Sequence, residues 1–116
     1  MKKGQQRISR INDEIARVVA DIIRFEMSDP RIGTIVSVTG VDTTTDLKQC
    51  KVSVSMLNED ETDGVLAALT NAAGFVRKGI AGKLNLRHTP EVIFVLDDSI
   101  AHAMKMHRLI DEVNRK

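Results

Sequence analysis

The residues of this chain best suited to binding chemistry are the cations of one stretch, residues 71–88. That stretch contains no aspartate or glutamate and has four basic side chains: Arg77, Lys78, Lys83 and Arg87. Its apolar residues recur near helical spacing: Phe75, Val76, Ile80 and Leu84. The cations can therefore project from the other side of a helix and bind phosphate. The same pattern is also typical of an amphipathic helix that contacts only water.

Charge is separated along the chain, although the formal net charge is only +1. A second basic group lies near the N-terminus: Lys2, Lys3, Arg7 and Arg10. An acidic cluster at residues 59–63 precedes the basic stretch. Such asymmetry can orient a molecule toward a polyanion, and it is also found on ordinary solubilising surfaces. We therefore treat the N-terminal cations as additional candidate contacts for a polyanion.

Catalytic and metal-binding patterns are absent from the sequence. The histidines, His88, His102 and His107, form no HExxH arrangement, and the last two would lie about 500° apart around a helix. Asp97 and Asp98 are adjacent, so on a strand their side chains point to opposite faces. There is no phosphate-binding P-loop and no nucleophile elbow. The sequence thus predicts no enzyme, no metal site and no cofactor.

Composition favours one soluble domain. The 116 residues are 42% hydrophobic and 28% charged, and no apolar run approaches the ~20 residues needed to cross a bilayer. We predict a single domain over residues 1–116, in which residues 1–6 need not be ordered. The basic start lacks the apolar core of a signal peptide, and Cys50 is the single cysteine. Both features favour a reducing cytoplasm, with no membrane association.

Hydrophobic periodicity predicts the first half of the fold. Apolar residues recur at three- and four-residue steps in a first helix: Ile8, Ile11, Ile15, Val18, Val19, Ile22 and Ile23. Pro30 should end this helix near residues 27–28, and Gly33 then allows a turn. Residues 35–41 form a first strand, and residues 50–56 return as the second strand of a hairpin. Cys50 falls on the apolar face of that strand, which predicts a packed thiol.

The second half is predicted as a broken helix, a strand and a last helix. Thr62 or Asp63 caps a helix that reaches Gly74, and a second helix runs from there to about Leu84. Residues 91–96 form a continuous apolar run, consistent with a strand covered on both faces. Ser99 caps the last helix. All the aromatic residues are assigned to the core, which argues against a base-stacking platform: Phe25, Phe75 and Phe94.

Two glycine patterns compete for the break between the middle helices. Gly79-Ile80-Ala81-Gly82 matches the Gly-x-x-Gly phosphate clamp of KH domains. A break there would leave little more than one turn before Thr89-Pro90, whereas a break at Gly74 leaves two helices of useful length. We therefore place the break at Gly74. Helix packing and local fraying remain alternative roles for Gly79 and Gly82.

The predicted fold is α+β, with helices on one face of a three-stranded sheet. Its order, helix-strand-strand-helix-kink-helix-strand-helix, resembles the type II KH fold. Three segments are similar to the ribosome-binding factor A family: Asp29 to Gly33, Ala72 to Arg77, and Leu86 to Phe94 followed by Asp97 to Ser99. With the element order, the resemblance covers Ile8 to about Val113.

This resemblance implies a non-catalytic assembly factor. It implies binding to the free 30S ribosomal subunit through 16S rRNA, with neighbouring ribosomal proteins as further contacts. Late 30S maturation, processing of the 16S rRNA 5′ end, a monomeric state and a role in cold adaptation are also implied. The resemblance also implies that an Ala-x-Gly kink, formed here by Ala72, Ala73 and Gly74, replaces the KH clamp. A protein-interaction adaptor that uses the same basic face to bind an acidic partner remains the alternative.

Overall fold

A long amphipathic helix begins the fold. The structure is a computed structural model that describes residues 3–28, 30–56 and 59–97, and helix α1 spans Lys3–Phe25. The predicted apolar stripe is confirmed: Ile11, Ile15, Val19, Ile22 and Ile23 are all buried. Residues 3–6, whose order the sequence left undetermined, belong to this helix. None of the helices within the described residues is both long and apolar enough to cross a membrane.

A short second helix replaces the turn expected at Gly33. Helix α2 spans Pro30–Ile35. Proline suits the first position of a helix because its fixed φ is helical and its missing N–H would have no partner there. Ile32 of this helix is buried in the core. Helix α1 thus ends at Phe25, earlier than the predicted residues 27–28, and Pro30 begins a new helix. The first strand starts after Ile35 rather than at it.

The sheet has three strands in the order β1-β2-β3. Strand β1 spans Val36–Thr43, β2 spans Gln49–Met56 and β3 spans Glu91–Leu96. The predicted hairpin is confirmed, because β1 pairs with β2 antiparallel, with an irregularity between Val38 and Gly40. Strand β3 adds to the other edge of β2 in parallel. The sheet is therefore mixed, with β2 in its centre.

The hairpin loop is held by side chains of its own residues. Asp46 accepts hydrogen bonds from the Thr44 hydroxyl at 2.7 Å and from the Lys48 backbone N–H at 3.0 Å. Both hydrogen bonds lower the pKa of the Asp46 carboxyl, and the bond from Thr44 has the larger effect. Leu47 adopts a left-handed backbone with φ of 60° and buries its side chain. Burial of this apolar side chain offsets the conformational cost of a positive φ.

Two consecutive helices connect β2 to β3. A 3₁₀ turn at Glu59–Glu61 leads into α3, Thr62–Asn71, and α4 follows at Ala73–Lys83. The prediction that Thr62 or Asp63 caps this helix was wrong, because the 3₁₀ turn moves the helix start upstream. Glu61 is the cap residue and makes no side-chain capping hydrogen bond. Asp63 instead lies in the first turn, where its negative charge is favourable.

The helices cover one face of the sheet, and the core lies between the two layers. Cys50 of β2 is fully buried, as predicted, and burial raises the pKa of its thiol to about 11, with the Arg77 guanidinium opposing the shift. Strand β3 is covered less than predicted. Val92 and Phe94 are buried, whereas Ile93 and Val95 are half-buried and Leu96 is 42% exposed. The predicted last helix, which Ser99 would cap, lies outside the described residues.

Candidate nucleic-acid interface

Packing against α1 fixes which side of α4 faces outward. Val76 and Ile80 of α4 are fully buried, and a side chain at Gly79 would begin 2.5 Å from the Ile22 Cδ1 atom of α1. Residues on a helix advance by about 100° each, so the side chain of Lys78 projects away from this packed side. The helix therefore presents one face to the core and one to solvent, as the sequence predicted.

The break between α3 and α4 lies at Ala72. This residue has φ −88° and ψ 0°, and its N–H donates to the carbonyls of Ala68 and Leu69, both at 3.1 Å. Its own carbonyl accepts from Val76 N–H at 3.0 Å. The interruption is therefore local, with backbone hydrogen bonds on both sides. It falls within the predicted kink motif but not at Gly74, whose Cβ position is open.

The Gly-x-x-Gly sequence forms no clamp. Residues 79–82 lie inside α4, and no glycine in the described part of the chain has a positive φ. Of the two roles left open for these glycines, helix packing is the one that Gly79 has, because it allows α1 to approach. Gly82 has no atom within 4 Å of its Cβ position. The same residue type thus serves packing at one position and leaves bare surface at the other.

Arg77 is engaged within the protein. Its guanidinium donates two hydrogen bonds to the Thr89 carbonyl, from Nε at 3.2 Å and from Nη2 at 2.9 Å. Thr89 lies just before buried Pro90 and the start of β3. The sequence analysis, which allowed all four cations of the stretch to project outward, did not predict these hydrogen bonds. Arg77 ties α4 to the segment that enters β3.

Arg77→Gln is expected to lower the free energy of unfolding by about 1 kcal/mol, because the charged pair of hydrogen bonds to Thr89 is lost. The melting temperature should fall by roughly 4 °C. Lys78→Gln removes the same charge from the next residue and should change stability by less than about 0.5 kcal/mol. Thermal unfolding followed by circular dichroism measures both. Equal melting temperatures for the two variants would contradict a structural role for Arg77.

Lys83 forms an ion pair with a carboxylate. Its ammonium lies 2.8 Å from Glu26 Oε2, and the two side chains are 47% and 41% exposed. A pair this exposed stabilises the fold by only about 0.2–1 kcal/mol and is weakened by salt. Lys83 therefore remains at the surface, but an external phosphate would have to compete with Glu26 for it.

Two cations of the stretch have no partner among the described residues. Lys78 and Arg87 are exposed, and neither makes a hydrogen bond or ion pair with another described residue. Lys78 is fixed in direction by α4, whereas Arg87 lies in the irregular segment between α4 and β3. The outward charge of this surface is therefore concentrated at Lys78 and Arg87, with Lys83 partly neutralised.

The N-terminal cations lie at a distance from this surface. Arg7 and Arg10 are exposed on α1, Lys3 begins that helix, and Lys2 lies outside the described residues. The α1 contact with α4 is at Ile22, and Arg10 precedes it by about 18 Å along the helix axis. The structure therefore does not bring the two basic groups together. It leaves them as separate parts of one extended surface.

Sequence reasoning missed an exposed aromatic side chain beside Lys78. Phe75 is 50% exposed and Phe25 is 72% exposed, so only Phe94 of the three phenylalanines occupies the core, at 7%. The spacing of the apolar residues could have indicated that Phe75 is exposed. Val76 is followed at helical steps by Ile80 and Leu84, whereas Phe75 is followed at such steps by Lys78 and Gly82. Phe75 is therefore next to the apolar stripe rather than in it.

The described residues contain no set of side chains that could bind a metal ion. No group of three or more histidine, cysteine, aspartate or glutamate side chains there could hold a metal ion. His88 is exposed, and His102 and His107 lie outside the described residues.

Comparisons with known proteins agree with each other. The sequence matches the family profile of ribosome-binding factor A over residues 7–110. Ribosome-binding factor A from Clostridium beijerinckii is 45% identical over 108 residues, which cover 91% of this chain and 92% of that protein. The crystal structure of ribosome-binding factor A from Thermus thermophilus superposes with a TM-score of 0.68 at 25% identity, covering 77% of this chain and 94% of that one. A model of the Thermus protein fitted into a cryo-EM map of a 30S complex gives a TM-score of 0.62.

Proposed function

The chain belongs to the ribosome-binding factor A family, and from this membership we propose that it binds the free 30S ribosomal subunit through 16S rRNA. It assists late maturation of that subunit and processing of the 16S rRNA 5′ end, without catalysing a reaction itself. The family match over residues 7–110 carries this proposal. The Thermus relative fitted into the map of a 30S complex supports the choice of partner.

The proposed RNA contacts are those cations that the fold leaves exposed. Lys78 and Arg87 are the first, because no described residue neutralises them. Arg7 and Arg10, which are exposed on α1, form a second contact. Lys2 and Lys3 are added to it for their charge and their place in the sequence. Lys83 contributes where phosphate displaces Glu26. Arg77 takes part mainly by positioning, since its guanidinium is bound to Thr89.

We further propose that the chain acts as a cytoplasmic monomer that forms a single domain with the type II KH-like fold. Neighbouring ribosomal proteins add contacts beside the RNA. The kink motif, Ala72 to Gly74, takes the place of the glycine clamp and leaves recognition to side-chain charge and surface shape. A role in cold adaptation follows from the same family membership.

Lys78→Glu is expected to weaken binding to 30S subunits on the order of tenfold, because a phosphate contact is replaced by repulsion. The salt dependence of log affinity should become shallower by about one unit. Cosedimentation of the purified protein with 30S subunits through a density gradient, at several salt concentrations, measures both effects.

The matched control is Lys51→Glu. Lys51 is exposed on β2, between buried Cys50 and Val52, so its side chain points to the sheet face opposite to theirs. This variant has the same change in net charge and should bind almost as the unmodified chain does. Equal losses for both variants would show that only overall charge matters and would remove Lys78 from the interface.

The same density-gradient experiment distinguishes an RNA-binding factor from the alternative, a protein-interaction adaptor. An RNA-binding factor should travel with free 30S subunits, and nuclease digestion or excess bulk RNA should release it. An adaptor for an acidic protein should keep its partner after nuclease treatment. Retention of a protein partner without RNA would therefore replace the proposed function.

A further inference from the structure

Phe75 is an exposed aromatic side chain near the start of α4. It is in the first turn of the helix, directly after the break at Ala72, and half of its surface is exposed. Single exposed apolar side chains are common on proteins, so exposure alone shows little. The neighbouring cation is the informative feature. Phe75 and Lys78 are three residues apart on one helix and are therefore adjacent on its surface.

The exposed phenylalanines differ in what covers their rings. The Arg24 guanidinium lies over the Phe25 ring, 5.3 Å from its centroid. No such cation lies over Phe75 among the described residues. Phe75 is 50% exposed and has no described cation on its ring, whereas the ring of Phe25 is covered by the Arg24 guanidinium.

The surface beyond Phe75 is bare. Gly82 lies two turns further on nearly the same side of α4, about 10 Å along the axis, and has no atom within 4 Å of its Cβ position. Lys78 lies between Phe75 and Gly82, at the edge of this surface. The stretch from Asn71 to His88 has no carboxylate of its own to repel an anion. An exposed aromatic ring with a cation one turn away fits a polymer that alternates planar bases with phosphates.

We propose that the Phe75 ring stacks on an unpaired nucleobase of RNA while the Lys78 ammonium contacts a neighbouring phosphate. This inference rests on the function proposed above and specifies how α4 contacts the RNA. Stacking suits this position because every base has a π face, so the contact needs no particular sequence. It assigns α4 to single-stranded or bulged RNA rather than to a regular duplex, whose bases are not exposed for stacking.

The chain allows a direct spectroscopic test, since it contains no tryptophan and no tyrosine. Phe75→Trp introduces the single indole, whose fluorescence should be quenched when 30S subunits or a single-stranded oligoribonucleotide of about 10 nucleotides are added. Phe25→Trp places the same probe at the other exposed phenylalanine and should change little. Quenching equal at the two positions, or quenching that persists after nuclease digestion, would overturn the stacking proposal.

Affinity variants distinguish stacking from simple apolar burial. Phe75→Ala and Phe75→Leu should both weaken binding to 30S subunits by roughly 10-fold, while Phe75→Trp should preserve it, because only the tryptophan keeps an aromatic face. Circular dichroism checks that the variants fold. If Phe75→Ala and Phe75→Leu bind as well as the unmodified chain, stacking is wrong and the proposed function stands. If the unmodified chain fails to bind 30S subunits, both proposals fall.

Discussion

Gly33→Ala is expected to destabilise the fold by about 2 kcal/mol, which corresponds to a fall of roughly 8 °C in melting temperature. A Cβ at this position would lie 2.9 Å from the Arg24 carbonyl oxygen and 3.1 Å from the Arg24 Cα. Both atoms belong to the backbone of α1, so no side-chain rotation can relieve the contact. Either α2 or the end of α1 has to move.

Such movement is restricted on both sides of Gly33. Ile32 is buried in the core, and Val36 begins β1, where it is buried and pairs in register with Met56. Thermal and urea unfolding of the variant measure the cost. The matched control is Gly74→Ala, in which the new methyl group meets no atom within 4 Å and α4 gains helix propensity. That variant should be unchanged or more stable by up to ~1 kcal/mol. Greater loss in Gly74→Ala than in Gly33→Ala would contradict this account.

Gly79→Val is expected to lower the free energy of unfolding by about 3 kcal/mol. The first added carbon would begin 2.5 Å from the Ile22 Cδ1 atom, and Ile22 is fully buried. The Ile22 side chain can turn, but its neighbours in the core leave it little room. Helices α1 and α4 would therefore have to separate, which opens the core beside Val76 and Ile80. Chemical denaturation gives the change in free energy of unfolding.

Two further variants test the cause of that loss. Gly82→Val puts the same side chain into open surface on the same helix, and its stability should change by no more than about 0.5 kcal/mol. Ile22→Ala removes the atom that the valine would meet. It should be destabilising alone, yet the double variant should lose less than the sum of the single losses, by about 1–2 kcal/mol. Additive losses would show that Gly79 and Ile22 do not interact.

Much of the fold follows from hydrophobic periodicity. The stripe of α1, the β1-β2 hairpin and the bounds of β3 were all predicted from spacing, because burial of one face imposes its period on the sequence. Cys50 was assigned to the core on the same ground. The α2 helix was missed, since six residues are too few to show a period and proline was interpreted only as a terminator. The kink was predicted to within a few residues, at Gly74 instead of Ala72.

The roles of individual cations were not predictable from the sequence. Arg77 and Lys78 are neighbours with the same charge, yet one binds the Thr89 carbonyl and the other faces solvent. Lys83 pairs with Glu26, which is distant in the sequence. Each difference depends on where another part of the chain comes to lie. The exposure of Phe75 and the different surroundings of Gly79 and Gly82 also depend on where other parts of the chain lie.

The sequence by itself therefore determined the described helices and strands other than α2, which of their faces are apolar, and that a basic stretch without carboxylates lies before β3. The tertiary structure decided which of those cations are free, which glycine allows two helices to touch and which aromatic ring stays at the surface. The physical reason is that periodicity reports the average environment of a helix or strand face, whereas the role of a single side chain depends on contacts within a few ångströms, made by residues from elsewhere in the chain.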